Sequence, residues 1–126
     1  MTNGKRVLLV EDDKFLRRAC EAGLKQRGFT VRTAADGDEA LTLAMSQPFD
    51  IVLLDLMMPK KPGIEVLVAL KANEATARVP VLILSNSSRD EDKKKAVDLG
   101  ADGYYVKANL SLQALGDEVA RLVTRS

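Results

Sequence analysis

The fold is indicated by residues 51–55, Ile-Val-Leu-Leu-Asp, in which four apolar residues run directly into one carboxylate. Three further apolar runs also end in polar residues: residues 7–10 before Glu11, Asp12 and Asp13, residues 81–84 before Ser85, and residues 104–106 before Lys107. Short continuous apolar runs are typical of strands buried on both faces, as in a parallel sheet. Ligands of such sheets bind beyond the carboxyl ends of the strands. The sequence therefore predicts that carboxylates, a hydroxyl and an ammonium group gather at one edge of a sheet.

Helical patterns alternate with these strands along the chain. In residues 14–27 apolar residues recur at spacings of three and four, and Gly28 is expected to end the helix. We expect this stripe to face the core, and it consists of Phe15, Leu16, Ala19, Cys20 and Leu24. The free cysteine is therefore predicted to be a small buried apolar group.

Two further helices are predicted from capping boxes, in which a short polar residue precedes a glutamate by three positions. Asp36 with Glu39 opens one helix, and Ser88 with Glu91 opens another. The remaining predicted boundaries are strands at 30–33, 50–55, 80–85 and 102–106 and helices at 36–45, 63–71, 88–99 and from 112 almost to the end. Strands that alternate with helices form a parallel sheet with right-handed crossovers and helices on both faces. We therefore predict an α/β fold built from five β–α units.

Length and composition limit the class of protein. The chain has 126 residues, enough for one domain with a real core and too few for two, and we assign residues 1–126 to a single domain with its core at about 5–123. Hydrophobic residues make up 46 %, which excludes a disordered chain, and a net charge of +1 argues against a large nucleic-acid-binding surface. No apolar stretch is long enough to span a bilayer and no secretory leader is recognisable, so a soluble cytoplasmic protein is expected.

The chain has one cysteine and no histidine. A disulfide within the chain is therefore excluded, as is a zinc site built from thiolates and imidazoles. The chain also cannot be a phosphohistidine donor, so any phosphate acceptor in it must be a carboxylate or a hydroxyl.

The polar residues that follow the strands suit a hard cation and a phosphoryl group. Carboxylates that lie close together repel one another unless a proton or a cation joins them. Lys107 supplies one positive charge, and oxygen ligands with free water positions favour Mg²⁺. Asp55 stands alone after the third strand, where a carboxylate is well placed as a nucleophile that forms an aspartyl phosphate. Ser85 and Lys107 are placed to hold phosphoryl oxygens.

Each of these residues also has an ordinary structural interpretation. Asp12 or Asp13 would serve as the N-cap of the first helix, and for Asp13 we favour that role. Ser85 begins a Ser-Asn-Ser-Ser run typical of a turn, Lys107 would be a solvated lysine, and Tyr104 a core aromatic. The joint placement of polar residues after four of the five strands favours a functional site.

Four motifs, taken together and in this order, resemble the receiver domains of bacterial two-component response regulators, in particular the single-domain chemotaxis and phosphorelay receivers. They are Val-Glu-Asp-Asp at 10–13, Phe-Asp-Ile-Val-Leu-Leu-Asp-Leu-Met-Met-Pro at 49–59, Pro-Val-Leu-Ile-Leu-Ser at 80–85 and Gly-Ala-Asp-Gly-Tyr-Tyr-Val-Lys at 100–107. The similarity extends over about residues 5–123. It implies a doubly wound sheet with the flavodoxin-like strand order 2-1-3-4-5.

The resemblance also implies a role for each residue of the site. Asp55 would accept a phosphoryl group from the phosphohistidine of a sensor histidine kinase or a histidine phosphotransfer protein. Asp12, Asp55 and the backbone carbonyl of Met57 would bind Mg²⁺ directly, and Glu11 would bind it through a water. Lys107 would contact the phosphoryl oxygens. Ser85 and Tyr104 would change conformation in response to the phosphoryl group. Mn²⁺ would be an alternative cofactor.

The implied output is a change in protein binding. The chain would catalyse only its own phosphorylation and dephosphorylation. It would signal to a downstream protein through the fourth helix, fifth strand and fifth helix, as a monomer or a weak phosphorylation-dependent dimer. We expect no direct binding to nucleic acid or membrane, and we interpret the charged segment 89–95 as a solvated face.

Three positions depart from the family pattern or tune it. Pro62 stands where the family usually has aspartate before Gly63, which predicts an altered entry to the third helix. Ala108 stands where the family usually has a cis proline; because a cis bond before a non-proline residue costs about 2.5–4 kcal/mol, we predict a trans bond and a reshaped loop that would loosen Lys107. Met57 offers no hydrogen bond to an attacking water, which predicts slow dephosphorylation.

Two other functions fit parts of the pattern. An aspartate-nucleophile phosphatase of the haloacid dehalogenase type also uses an aspartyl phosphate, magnesium and lysine, but it needs a second aspartate where this chain has Met57. A phosphorylation-independent pseudo-receiver would share the fold and act only as an interaction module. The complete set of site residues argues against the second interpretation, and Ala108 leaves it open.

Overall fold

The computed structural model describes residues 4–58, 60–109 and 111–124 and contains a five-stranded parallel sheet covered by helices on both faces. The strands are β1 (Arg6–Val10), β2 (Thr30–Ala34), β3 (Ile51–Asp55), β4 (Val81–Ser85) and β5 (Gly103–Val106). The helices are α1 (Lys14–Gln26), α2 (Gly37–Ser46), α3 (Gly63–Ala72), α4 (Asp90–Asp98) and α5 (Leu112–Thr124), with a 3-10 turn at Lys107–Asn109. The strand order is β2-β1-β3-β4-β5, as the resemblance implied.

Alternate residues of the strands divide the core into two layers. Leu8 and Val10 of β1 pack in the layer that includes α2, α3 and α4, whereas Val7 and Leu9 pack in the layer that includes α1 and α5. All four side chains are fully buried. This confirms that the apolar runs of β1, β3 and β4 are strands buried on both faces, because each face of the sheet is covered by its own set of helices.

The last strand, β5, is less buried than its apolar sequence predicted. All four of its residues are half-buried, whereas every residue of β3 and β4 is buried. The reason is its place in the sheet, where it pairs with β4 on one side and forms an edge. An edge strand has a neighbour on one side only, so its side chains remain partly accessible.

Helix α1 matches its predicted range to within one residue, but two apolar residues of its stripe are misassigned. Cys20 and Leu24 are buried, as predicted, and burial raises the pKa of the Cys20 thiol to about 11. The predicted burial of Phe15 and Ala19 is wrong, because both are exposed, and the Phe15 side chain on the first turn of the helix is 87 % exposed. A helical period identifies an apolar face but does not show how far the neighbouring layer extends beneath it. Gly28 follows the helix with a φ of 94°, a conformation that favours glycine.

Two of the predicted helix caps are confirmed and one is wrong. Asp13 Oδ1 accepts a hydrogen bond from the N–H of Leu16 at 3.1 Å, and Asp36 Oδ1 accepts one from Glu39 at 2.9 Å. The predicted cap at Ser88 is absent: α4 begins at Asp90, after Arg89, and has no side-chain cap.

The hydroxyl of the neighbouring Ser87 instead forms two hydrogen bonds near the start of α4. It accepts a hydrogen bond from the N–H of Arg89 at 3.2 Å and donates one to Asp92 Oδ2 at 2.5 Å.

Within the described residues, no helix combines the length and the apolar character that crossing a membrane requires.

Candidate functional site

Three carboxylates meet at the carboxyl edge of the sheet. Glu11 and Asp12 follow β1, and Asp55 ends β3, which pairs with β1 so that Val10 lies opposite Leu54. One ligand oxygen from each of the three residues lies within 4.8 Å of the other two. Glu11 and Asp55 are buried, whereas Asp12 is exposed. The predicted convergence of Glu11, Asp12 and Asp55 is therefore confirmed.

Lys107 bridges the two buried carboxylates. It follows β5, and its Nζ lies 2.8 Å from Glu11 Oε1 and 3.1 Å from Asp55 Oδ2. The side chain is only 14 % exposed, so the alternative of a solvated surface lysine is excluded. Burial acts to lower the pKa of Lys107, but the hydrogen bond to Glu11 and the charges of both carboxylates outweigh it and raise that pKa above its ordinary value. Lys107 is therefore a permanent cation at the centre of the site.

The environment of Asp55 makes its charged form costly. The pKa of Asp55 is raised from 3.8 to about 7, and burial is the largest cause. The hydrogen bond from the Met57 N–H acts to lower this pKa, the charge of Glu11 acts to raise it, and the charge of Lys107 acts to lower it. The Met57 N–H donates to Asp55 Oδ1 at 3.1 Å, which places the Met57 backbone at the site. Additional positive charge beside Asp55 would therefore strongly stabilise its ionised form.

The carboxylate oxygens of the site are able to bind such a positive charge. Glu11 Oε1 and Asp55 Oδ2 are buried, and apart from their contacts with Lys107 Nζ they have no hydrogen-bond partner among the described residues. Buried carboxylate oxygens in proteins are normally satisfied by donors or by a metal ion. Two such oxygens together with the exposed Asp12 form an all-oxygen set that fits Mg²⁺, which keeps several of its waters.

The turn that carries Glu11 and Asp12 is fixed by local hydrogen bonds. The N–H of Asp13 donates to Glu11 Oε2 at 3.1 Å, and the N–H of Glu11 donates to the carbonyl of Ala34 at 3.0 Å. Arg17 Nη1 donates to the carbonyl of Glu11 at 2.9 Å and lies 3.5 Å from the carbonyl of Asp12. Arg17 was not among the residues predicted for the site, although its position four residues after the N-cap directs its side chain back over the first turn.

The loop after β4 connects the site to the edge strand. Ser85 ends β4 and is buried, and its Oγ accepts a hydrogen bond from the N–H of Ser87 at 3.1 Å. The Tyr104 hydroxyl donates to the carbonyl of Ser87 at 2.9 Å while its ring is half-buried against the core. The predicted switch residues Ser85 and Tyr104 are therefore tied to the same short segment of backbone.

The two positions at which the sequence departs from the family pattern, Pro62 and Ala108, differ in their effect on the structure. Pro62 precedes α3 without a side-chain cap. Gly63 is packed so closely against the end of β3 that an added Cβ would lie 2.6 Å from the Cα of Leu56, and its N–H donates to the Leu56 carbonyl at 3.0 Å. The bond between Lys107 and Ala108 is trans, since no cis peptide bond occurs in the described residues. The expected loosening of Lys107 is wrong, because both of its carboxylate contacts are made.

Comparison with known proteins identifies the class. The profile of the response regulator receiver domain matches residues 7–119 of this chain. The chain therefore belongs to the family of response regulator receiver domains, which act in two-component signalling. The fold and the order of the site residues along the chain agree with that assignment.

Several relatives illustrate the similarity. A gliding motility regulatory protein of Myxococcus xanthus is 40 % identical over 93 % of this chain and 15 % of its own length. The cell cycle response regulator CtrA of Brucella ovis is 40 % identical over 81 % of this chain and 43 % of its own length. This chain thus spans less than half of either protein.

Solved structures match over almost the whole length of both chains. The receiver domain of the Francisella response regulator 1452 has a TM-score of 0.91 at 31 % identity, covering 97 % of this chain and 98 % of its own. A receiver domain of a Pseudomonas aeruginosa sensor histidine kinase has a TM-score of 0.89 at 28 % identity, covering 97 % and 99 %. That protein has a magnesium ion coordinated in its active site cleft.

Proposed function

We propose that this receiver domain is a Mg²⁺-dependent phosphoacceptor switch in which Asp55 accepts a phosphoryl group from a phosphohistidine. The observation that carries the proposal is the group of three carboxylates within 4.8 Å of one another, with Lys107 in contact with two of them. This arrangement concentrates negative charge around one buried aspartate, and two buried oxygens have no partner other than Lys107 among the described residues. Such a site suits a divalent cation and an incoming phosphoryl group.

The chain's own residues divide the work of holding the metal. Asp12 and Asp55 would bind Mg²⁺ directly, together with the backbone carbonyl of Met57, and Glu11 would bind a metal-coordinated water. When bound, Mg²⁺ would neutralise part of the negative charge of the phosphoryl oxygens and favour the ionised form of Asp55. Mn²⁺ has the same preference for oxygen ligands and would substitute for it.

Asp55 supplies the nucleophile for the transfer. One of its carboxylate oxygens forms a bond to phosphorus as the bond between phosphorus and the imidazole nitrogen of the donor breaks, and the electron pair leaves with the imidazole. Lys107 Nζ, which lies 3.1 Å from Asp55 Oδ2, is positioned to contact a phosphoryl oxygen attached there. The product is an aspartyl phosphate on this chain and an unphosphorylated histidine on the partner.

The phosphoryl group then biases the loop after β4. The Ser85 hydroxyl would donate a hydrogen bond to a phosphoryl oxygen while its oxygen accepts one from the N–H of Ser87, so a movement of Ser85 toward the phosphoryl group would draw the Ser87 backbone with it. The same segment accepts a hydrogen bond from Tyr104, so a shift of the loop changes the environment of that side chain. Only a difference in affinity between two loop arrangements shifts their populations, and the hydrogen bond from Ser85 to the phosphoryl group would supply one.

The partners follow from this chemistry. The donor would be a sensor histidine kinase or a histidine phosphotransfer protein, and the output would be altered binding of a downstream protein. We propose no turnover of other substrates, because the chain would act only on its own Asp55.

The direct test is intact-mass measurement after incubation with a small-molecule phosphodonor such as acetyl phosphate. Wild type should gain one phosphoryl group with Mg²⁺ and none with EDTA, and Asp55→Asn should gain none. Asp98→Asn, which changes an exposed aspartate of α4, is the matched control and should behave as wild type. Unmodified wild type would instead favour a phosphorylation-independent module, and sustained hydrolysis of a generic phosphate ester would favour a phosphatase.

A further inference from the structure

We propose that Arg17 is a positioning residue that orients Asp12 for Mg²⁺ by holding the backbone of the β1–α1 turn. The inference deepens the proposed function and rests on it, because it concerns the affinity of the same site for its metal. Arg17 itself does not contact the reacting groups. It acts through its hydrogen bonds to the carbonyls of Glu11 and Asp12, which belong to the two peptide groups on either side of the Asp12 Cα.

The two acidic residues of this turn are held very differently. Glu11 is fully buried, and its carboxylate is fixed by Lys107 at 2.8 Å and by the N–H of Asp13 at 3.1 Å. Asp12 is exposed, and its carboxylate makes no hydrogen bond or ion pair with any other residue that the structure describes. The direction of the Asp12 side chain therefore depends on the backbone from which it projects.

Arg17 is the side chain that fixes this backbone from the helix side. Its Nη1 is 2.9 Å from the Glu11 carbonyl and 3.5 Å from the Asp12 carbonyl, and its own N–H donates to the Asp13 carbonyl at 2.9 Å. The guanidinium thus ties the first turn of α1 to the residues just before the N-cap. Groups that orient metal ligands in this way commonly contribute about 10- to 100-fold to metal affinity.

Charge and positioning predict opposite effects when Arg17 is replaced. Removing a positive charge near three carboxylates should strengthen the binding of a divalent cation, because the cation is repelled less. Removing the hydrogen bonds should weaken it, because Asp12 must then be ordered when the metal binds. Arg18 is the matched control: it is the next residue, it is exposed, and its side chain forms no hydrogen bond or ion pair with the rest of the described chain.

The test is calorimetric titration of the full chain with Mg²⁺ alone, for wild type, Arg17→Gln, Arg17→Lys and Arg18→Gln. We expect Arg17→Gln to raise the Kd by about tenfold relative to Arg18→Gln, which removes the same charge. Arg17→Lys keeps the charge and can donate to one carbonyl, so its Kd should lie between those of Arg17→Gln and wild type. With acetyl phosphate, Arg17→Gln should need more Mg²⁺ for half-maximal phosphorylation and reach the wild-type rate at saturation.

The possible results separate the inference from the function on which it rests. If wild type shows no Mg²⁺ binding, the proposed function fails. If wild type binds and Arg17→Gln binds as tightly as Arg18→Gln or more tightly, the positioning role is refuted. Should Arg17→Gln not fold, the comparison of Arg17→Lys with wild type decides, and equal Kd values there also refute it.

Discussion

In the metal-free protein, replacing Asp55 by Asn should raise the free energy of unfolding at neutral and alkaline pH. The buried carboxyl keeps its proton more tightly in the folded protein than in the unfolded chain, with a pKa of about 7 against 3.8. As the pH rises through this interval, the unfolded chain loses the proton first. The folded state of wild type therefore loses stability from about pH 4 to pH 7, and the loss is complete above pH 7.

The size of this effect follows from the two pKa values. Each tenfold difference in proton affinity corresponds to about 1.4 kcal/mol, so the interval from 3.8 to about 7 amounts to about 4 kcal/mol. Asp55 is only 1 % exposed, so solvent screening reduces this value little. Asn cannot ionise, and the variant should avoid the entire penalty.

Urea denaturation in EDTA at several pH values between 4.5 and 8.5 would measure the difference. The advantage of Asp55→Asn should grow with pH and level off above pH 7, and it should shrink when Mg²⁺ is added, because the metal stabilises folded wild type. Asp98→Asn should show no such trend. A difference between Asp55→Asn and wild type that does not vary with pH in EDTA would refute the assignment of this penalty to Asp55.

Three further substitutions test other parts of the structure. Gly63→Ala should lower the free energy of unfolding by about 1–3 kcal/mol in urea, because its Cβ would collide with backbone at the end of β3, whereas Gly23→Ala on α1, where the Cβ would make only ordinary contacts with Leu112 of α5, should be neutral or stabilising. Lys71→Met should cost about 1–3 kcal/mol by the same measurement, since Nζ donates to the Val79 carbonyl at 2.9 Å and pairs with Asp102 at 3.3 Å; retained stability would contradict this. Met57→Asn should shorten the lifetime of the aspartyl phosphate, followed by intact mass, because an amide beside Asp55 can bond to an attacking water; an unchanged half-life would count against that role.

The sheet and the position of the site were predictable from the sequence because each rests on a strong regular signal. Four apolar runs that end in polar residues define the strands, and parallel strands bring their carboxyl ends to one edge. This reasoning placed Glu11, Asp55 and Lys107 together, although 96 positions separate the first from the last. The caps at Asp13 and Asp36 were predictable because a cap depends only on neighbouring residues.

The failures arose where several local choices compete or where tertiary context decides. Ser87 and Ser88 both offer a hydroxyl near the start of α4, and the structure uses Ser87, which reaches Asp92. Phe15 fits the apolar period of α1 but lies on a turn that the core does not cover. The contact of Arg17 with two backbone carbonyls depends on the side-chain conformation, which sequence spacing suggests but does not determine.

The order in which the site residues occur along the chain has a consequence for synthesis. Lys107 follows the edge strand β5, the last strand in the chain, and pairs with carboxylates contributed by β1 and β3. A ribosome that has produced only the first three strands has already made Asp55, the proposed acceptor, but not the lysine that contacts it. A nascent or truncated polypeptide that lacks β5 and Lys107 should therefore not accept a phosphoryl group. The site should become functional only once β5 has docked onto the sheet.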